Sequence, residues 1–182
     1  VHRDLKPSNV FLITSADGVE VVKLLDFGIA KLRDPRCPEV HTGSGMLLGS
    51  PAYMAPEQWD SLPDIDGRAD IYALGVILFQ CSTGVLPFQG DSAHQWVVAH
   101  TEQPVPDPAR AAKMPERLRR LILHMLAKGR GQRPTSMHEV FAELRRCQTE
   151  LASGHQQRNL QSPRKWLRAA GLTALSVMGL FY

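Results

Sequence analysis

The spacing of hydrophobic residues changes along this chain of 182 residues. Near the start, residues 10–13 and 19–25 form two apolar runs rich in β-branched side chains. Residues 14–18, which end in Asp-Gly, separate them. Short runs of this kind favour β-strands, and an Asp-Gly pair between two runs favours a tight turn. The pattern therefore predicts a β-hairpin.

Apolar residues from position 67 onward have the spacing of helices. Residues 69–81 are apolar on nearly every side, which is typical of a buried central helix, and Gly84 and Pro87 follow as stop signals. Two later segments have apolar residues three and four positions apart, which predicts amphipathic helices. Their stripes are Leu118, Leu121, Ile122 and Met125, and then Met137, Val140, Phe141 and Leu144.

Polar residues and prolines mark where these helices should begin. Ser92 precedes a modest helix that runs through His100, and Pro115 opens the first amphipathic helix. Ser136 and Glu139 have the spacing of a capping box, which predicts the start of the last helix. Residues 33–51 are rich in Gly, Pro, Ser and Thr and predict a long loop, which in a domain of this size is usually functional or disordered.

Composition and charge exclude several classes of protein. The net charge is +3, but residues 148–182 hold four Arg or Lys residues and one Glu, so residues 1–147 are neutral overall. A nucleic-acid-binding surface over the fold is therefore not indicated. The three cysteines and seven histidines are scattered, which favours reduced cytosolic thiols and no zinc site.

The most informative polar residues stand at positions 2–9, His-Arg-Asp-Leu-Lys-Pro-Ser-Asn. Asp4 could orient a hydroxyl group and accept its proton, and Lys6 could contact a phosphate. Asn9 offers an amide oxygen, a donor that hard cations accept. The alternative is a polar surface turn, formed by Pro7 and Ser8.

Two further motifs follow in order, Asp26-Phe27-Gly28 and then Ala55-Pro56-Glu57. Together with the first motif they resemble the catalytic half of protein kinases. The resemblance covers residues 1 to about 147 and is to Hanks-type serine/threonine kinases, in particular to their bacterial members. It implies an α+β, protein-kinase-like fold: a mainly helical C-terminal lobe with a short β-hairpin, without the N-terminal lobe in this chain.

The resemblance also implies an activity, namely transfer of the ATP γ-phosphate to Ser/Thr hydroxyls of proteins in bacterial signalling. The cofactors would be ATP and Mg²⁺, with Mn²⁺ as an alternative. Asp4 would align the acceptor hydroxyl and take its proton, while Lys6 would neutralise charge on the transferred group. Asn9 and Asp26 would hold the metal.

Other positions receive supporting roles from the same resemblance. Ser50 would bridge the catalytic Asp and Lys, or would be a turn residue before Pro51. Phe11 would form the floor under the adenine ring, or would be a core phenylalanine. Arg3 would bind a phosphate on the activation loop. The candidate phosphoacceptors are Thr42 and Ser44, which the sequence does not distinguish from ordinary polar loop residues.

A set of structural supports completes the implied site. Glu57 and Arg133 would form a buried ion pair, and Asp70 would hydrogen-bond the backbone of the catalytic loop. The full set of supporting residues is His2, Phe27, Gly28, Glu57, Asp70 and Arg133.

The C-terminal part predicts a membrane attachment. Residues 148–165 are polar and basic and should form a juxtamembrane linker. Residues 169–182 carry no charge, although a spanning helix needs roughly 20 apolar residues. A buried terminal helix or an interfacial segment is the alternative. We interpret residues 166–182 as the start of a transmembrane helix that the end of the sequence cuts off. The upstream basic residues would keep residues 1–147 in the cytoplasm, tethered to the inner (cell) membrane.

No Gly-rich phosphate loop and no strand lysine precede the first motif in this chain. The chain is therefore expected to be a C-terminal fragment of a longer kinase, which by itself would be inactive and only marginally stable. The expected partners are protein substrates, ATP and a membrane, without nucleic acid; dimerisation for activation stays open. The alternative function is a membrane-tethered pseudokinase or docking module that performs no phosphotransfer.

Overall fold

The computed structural model describes residues 1–26, 50–59, 64–110 and 114–157. Several predicted features lie outside these residues. They are Phe27, Gly28, Thr42, Ser44, residues 33–49 of the predicted loop, residues 158–165 of the predicted linker and the membrane segment at residues 166–182.

The predicted hairpin forms the N-terminal part of the fold. A 3₁₀ turn, Pro7–Asn9, leads into strand β1, Val10–Thr14, which pairs antiparallel with strand β2, Glu20–Leu24. Gly18 in the connecting loop has φ 77°, a left-handed conformation that glycine adopts without steric cost. The register places Val10 opposite Leu24, so the end of the catalytic motif lies beside the end of β2.

Five helices follow the hairpin among the residues that the structure describes. They are α1 (Pro56–Trp59), α2 (Arg68–Thr83), α3 (Ala93–Thr101), α4 (Glu116–Met125) and α5 (Met137–Gln157). In the described residues one 3₁₀ turn, Pro51–Tyr53, precedes α1, and two more lie between the helices, at Pro108–Arg110 and Arg130–Gln132. None of the helices in the described part of the chain is both long and apolar enough to span a bilayer.

Helix α2 is the centre of the core, as its all-round apolar sequence predicts. Ten of its sixteen residues are buried. At Gly75 a Cβ atom would lie 2.9 Å from the Cβ of Met125, so the absence of a side chain lets α2 approach α4 closely. Helix α4 buries its predicted stripe against α2, while Val140 and Leu144 of α5 complete the core.

The helix ends follow the sequence signals with two corrections. Helix α5 continues through Gln157, ten residues into the segment 148–165 that the sequence predicts to be a linker. Ser92 caps α3, since its Oγ accepts the Gln95 N–H, and Gly84 ends α2 with φ 81°. The capping box predicted at Ser136 is only half formed: Ser136 Oγ accepts the Glu139 N–H at 3.4 Å. The Glu139 carboxylate instead accepts hydrogen bonds from the N–H and hydroxyl of Thr135, because Thr135 offers two donors to one oxygen.

One buried histidine lies in the helical core. His100 of α3 is fully buried among four aromatic rings, and its Nδ1 is 2.9 Å from the Tyr72 hydroxyl. The other three rings are those of Trp59, Phe88 and Trp96. Burial lowers the pKa of His100 to about 3, and the nearby Lys128 ammonium acts in the same direction. His100 is therefore neutral in the folded protein at neutral and mildly acidic pH.

This burial predicts that the protein loses stability in mild acid. Below an unfolded pKa of 6.5 the unfolded chain binds a proton at this position, and the folded chain does not until about pH 3. The free energy of unfolding should therefore fall by about 1.4 kcal/mol for each pH unit below about 6.5 through this residue. Urea unfolding of the protein at pH 7.0, 6.0 and 5.0 measures the slope.

The matched variants are His100→Phe, which removes the titrating group, and His124→Gln, which removes an exposed histidine of α4. We expect the first to lose this part of the slope and the second to retain it. Because slopes are compared, a constant loss of stability in His100→Phe does not affect the result. Equal slopes in the wild-type protein and His100→Phe would contradict the assignment.

Candidate functional site

Asp70 anchors the backbone of residues 2–3 to the first turn of α2. Its buried carboxylate accepts the His2 N–H at 2.7 Å through Oδ2 and the Arg3 N–H at 2.8 Å through Oδ1. The structure thus brings Asp70 to the loop backbone, where the resemblance implied that it would act. One side chain thus fixes the two successive peptide groups that precede Arg3, the neighbour of Asp4.

His2 links the same loop to the end of β2. Its buried ring has Nε2 3.1 Å from the Leu25 carbonyl oxygen, while Nδ1 accepts the Asp4 N–H at 3.3 Å. A carbonyl oxygen can only accept and a backbone N–H can only donate, so these partners place the ring hydrogen on Nε2. The orientation of His2 therefore depends on both the loop and the segment that leads to Asp26.

Arg3 has a strained backbone conformation at the centre of the loop. Its φ is 66°, in the left-handed region, which costs a non-glycine residue about 1–3 kcal/mol unless its surroundings hold it. Its carbonyl oxygen accepts a hydrogen bond from Gln58 Nε2 at 2.9 Å, and its Nη2 lies 3.4 Å from the Ile65 carbonyl oxygen. Together with the bond to Asp70, these contacts hold Arg3 on three sides.

Two polar side chains, Lys6 and Asn9, contact the carboxylate of Asp4. Lys6 Nζ lies 2.8 Å from Asp4 Oδ2, and the two side chains are 21% and 19% exposed. Asn9 Nδ2 donates to the Asp4 carbonyl oxygen at 2.9 Å and to Asp4 Oδ2 at 3.3 Å. The structure therefore brings together Asp4, Lys6 and Asn9 with one carboxylate oxygen between an ammonium and an amide.

The oxygen donors near Asn9 are of the types that a hard cation accepts. Because Asn9 Nδ2 faces Asp4, the amide oxygen points away from that carboxylate. The Leu25 N–H donates to the Asn9 carbonyl oxygen at 2.9 Å, so the exposed Asp26 directly follows a residue paired with Asn9. Amide and carboxylate oxygens are the donors that Mg²⁺ accepts. The residues present at this end of the hairpin thus fit a divalent metal.

Ser50 lies in the wall of a small cleft beside Asp4. Tyr53, Met54 and Gln58 line the same cleft. The Tyr53 hydroxyl donates to Gln80 Oε1 of α2 at 2.7 Å, which ties this wall to the core, and burial raises the pKa of Tyr53. The structure therefore places Ser50 on the same cleft as Asp4.

Phe11 occupies an exposed position on β1, opposite Lys23. Its side chain is 48% exposed, and it shares the hairpin with other exposed apolar residues, so it does not belong to the core formed by the described residues. These neighbours include Leu12, Ile13, Val21 and Leu25.

Glu57 and Arg133 form a buried, bidentate ion pair. The Arg133 nitrogens Nη1 and Nη2 donate to the two carboxylate oxygens at 2.7 and 2.8 Å. The remaining N–H groups of Arg133 donate to backbone carbonyl oxygens, those of Arg68, Ala127 and Lys128. All five donors are thus used, which is what a buried guanidinium requires to offset its loss of water.

Gln58 is a residue of this site to which the sequence analysis assigned no role. Its Nε2 donates to the Arg3 carbonyl oxygen, and its Oε1 accepts the Ala55 N–H at 3.0 Å. The one available signal was its place directly after Glu57. A glutamine at this position does not by itself predict a role, because its two partners, Arg3 and Ala55, are far apart in the sequence.

Comparison with known proteins identifies the same part of the chain. The family described as "Protein kinase domain" matches residues 1–144. The serine/threonine-protein kinase Pkn1 of Myxococcus xanthus is 48% identical over 130 residues, which is 70% of this chain and 18% of that protein. Serine/threonine-protein kinase pkn3 of the same organism is 42% identical over 154 residues, 82% of this chain and 28% of that protein. Serine/threonine-protein kinase A of Synechocystis is 39% identical over 154 residues, 83% of this chain and 29% of that protein. The chain thus spans less than a third of the length of each of these three relatives.

The buried ion pair predicts a large difference between two arginines. Arg133→Ala leaves the Glu57 carboxylate buried without its partner, and we expect the free energy of unfolding to fall by about 3–5 kcal/mol. Arg130, which pairs with Asp64 at 2.7 Å with side chains 33% and 66% exposed, is the control. Arg130→Ala should cost under about 1 kcal/mol. Chemical denaturation measures both, and similar losses would contradict the role given to the buried pair.

Proposed function

Because the chain belongs to the protein kinase domain family, we propose that it supplies the catalytic loop and metal-binding end of a serine/threonine protein kinase. The observation that carries this proposal is the arrangement of Asp4, with Lys6 and Asn9 in contact with one of its carboxylate oxygens. The activity belongs to the whole protein that contains this chain, with ATP and a protein hydroxyl as the substrates.

In the proposed reaction the oxygen of a Ser or Thr hydroxyl bonds to the γ-phosphorus of ATP. The bond between that phosphorus and the β–γ bridging oxygen breaks, and its electron pair leaves with ADP. Asp4 orients the hydroxyl and accepts its proton as the new bond forms. Its Asn9 and Lys6 contacts fix the carboxylate, so that little reorganisation is needed during transfer.

The charge on the phosphates is balanced by the groups around Asp4. The Lys6 ammonium, 2.8 Å from the Asp4 carboxylate, would neutralise charge on the transferred group. Asn9 and Asp26 would hold Mg²⁺, or Mn²⁺ in its place, through their side-chain oxygens. When bound, the metal supplies positive charge to the phosphate oxygens. Ser50 on the cleft wall is proposed to bridge Asp4 and Lys6, and Phe11 on β1 is proposed to form the floor under the adenine ring.

The proposal extends to regulation and location. Arg3 is proposed to bind a phosphate on Thr42 or Ser44, with dimerisation as a route to that phosphorylation. Residues 1–147 would form the catalytic part. Residues 148–165, of which 148–157 continue helix α5, would connect it to the membrane, and residues 166–182 would be the start of a membrane helix. The uncharged run and the basic residues before it support a cytoplasmic kinase region at the cell membrane.

Substitution of Asp4 tests the proposed activity. In the complete protein encoded by the reading frame that contains this chain, Asp4→Asn keeps the size of the side chain and removes the proton acceptor. Transfer of labelled γ-phosphate to a general protein substrate should fall by about 10²–10⁴-fold. Asp17→Asn, in the exposed hairpin loop, is the matched control and should retain activity.

Label on Ser or Thr in the wild-type protein, lost in Asp4→Asn, supports the proposal. Label on Tyr, or equal transfer by the wild-type protein and Asp4→Asn, would refute it. A wild-type protein that binds partner proteins without any transfer would favour the docking module instead.

A further inference from the structure

We propose that Gln58 is a positioning residue for Asp4, coupling the cleft wall at residues 50–55 to the peptide bond that precedes the catalytic carboxylate. This inference rests on the proposed function. It concerns a side chain that contacts no reacting atom and acts through the backbone of Arg3.

The peptide group between Arg3 and Asp4 is held by hydrogen bonds at both of its polar edges. The Arg3 carbonyl and the Asp4 N–H belong to one planar unit, which can only rotate as a whole. Gln58 Nε2 donates to the carbonyl at 2.9 Å, and His2 Nδ1 accepts from the N–H at 3.3 Å. The plane is therefore held from opposite edges. Because the Asp4 Cα is attached to this plane, its tilt sets the direction of the carboxylate.

The backbone of Arg3 has a strained conformation that its contacts must maintain. Arg3 has φ 66°, and Asp70 holds only its N–H side. On the carbonyl side the hydrogen bond from Gln58 is what opposes relaxation toward an ordinary φ. Loss of that bond should leave the loop attached to α2, with the Arg3–Asp4 peptide held at one edge only, by the longer hydrogen bond to His2.

The oxygen end of the Gln58 amide contacts the cleft wall. Gln58 Oε1 accepts the N–H of Ala55, a residue with 0% exposure. The segment that ends at Ala55 begins at Ser50 and includes Tyr53 and Met54, which line the cleft beside Asp4. The planar amide of Gln58 thus connects the cleft wall to the Arg3–Asp4 peptide. Its oxygen accepts from Ala55 in the wall, and its nitrogen donates to the Arg3 carbonyl oxygen.

Two isosteric variants separate these bonds. Gln58→Met removes both hydrogen bonds while keeping the length of the side chain. Gln58→Glu keeps an acceptor for Ala55, but its carboxylate repels the Arg3 carbonyl oxygen; once protonated, it can donate to that oxygen. Gln132→Met, in an exposed 3₁₀ turn, is the matched control and should retain wild-type turnover.

The experiment measures kcat and KM for ATP in the complete protein between pH 8 and pH 5.5, with thermal unfolding to check that each variant is folded. At pH 8 we expect kcat to fall about 10–100-fold in both Gln58 variants, since a misplacement of about 1 Å can cost this much, with KM for ATP within twofold of wild type. The kcat of Gln58→Glu relative to wild type should rise several-fold toward pH 5.5, while that of Gln58→Met stays low. A purely structural role would change the amount of folded enzyme without this pattern in kcat.

Wild-type kcat in Gln58→Met, or a Gln58→Glu ratio that does not change with pH, would overturn the inference. The proposed function is judged separately by the wild-type protein and Asp4→Asn. If the wild-type protein transfers no phosphate, the proposed function fails, and this inference fails with it. If the wild-type protein is active, Asp4→Asn is inactive and Gln58→Met is normal, only the role of Gln58 is refuted.

Discussion

The hydrogen bonds from the His2 and Arg3 N–H groups to the buried carboxylate of Asp70 are the constraint on which the site depends. A buried carboxylate is costly unless donors replace its water, and two backbone N–H groups provide such donors here. In return the loop is fixed to α2, the most buried helix of the described fold. Without this anchor Arg3 would lose one of the contacts that hold its left-handed φ, and the loop that carries Asp4 would lose its attachment to α2.

A second buried charge is tied to the first through the start of α2. Arg133 donates to the carbonyl oxygen of Arg68, two residues before Asp70, and to the carboxylate of Glu57, one residue before Gln58. The loop anchor and the cleft wall therefore share one hydrogen-bonded frame. This explains how residues far apart in sequence can fix a single carboxylate. The charged groups of this frame are buried, so water does not compete with their hydrogen-bond partners.

The sequence predicted the elements better than it predicted the contacts. The hairpin and the central helix follow from hydrophobic spacing, and the serine/threonine kinase family follows from three short motifs in order, as the comparisons confirm. Gln58 and His100 could not be assigned in this way. Each acts through partners brought close only by folding, and a lone amide or histidine on a helix has many ordinary roles. The half-formed capping box at Ser136 has a similar cause, since Thr135 competes for the same carboxylate.

The most direct measurement is a crystal structure of the complete protein with Mg²⁺ and a non-hydrolysable ATP analogue. If the described loop is the catalytic half of a kinase site, the metal should be ligated by Asn9 Oδ1 and the Asp26 carboxylate. Asp70 should still accept the His2 and Arg3 N–H groups, and Asp4 should face the cleft beside Ser50. A nucleotide and metal held by other residues, or a loop detached from Asp70 in that complex, would contradict the central claim.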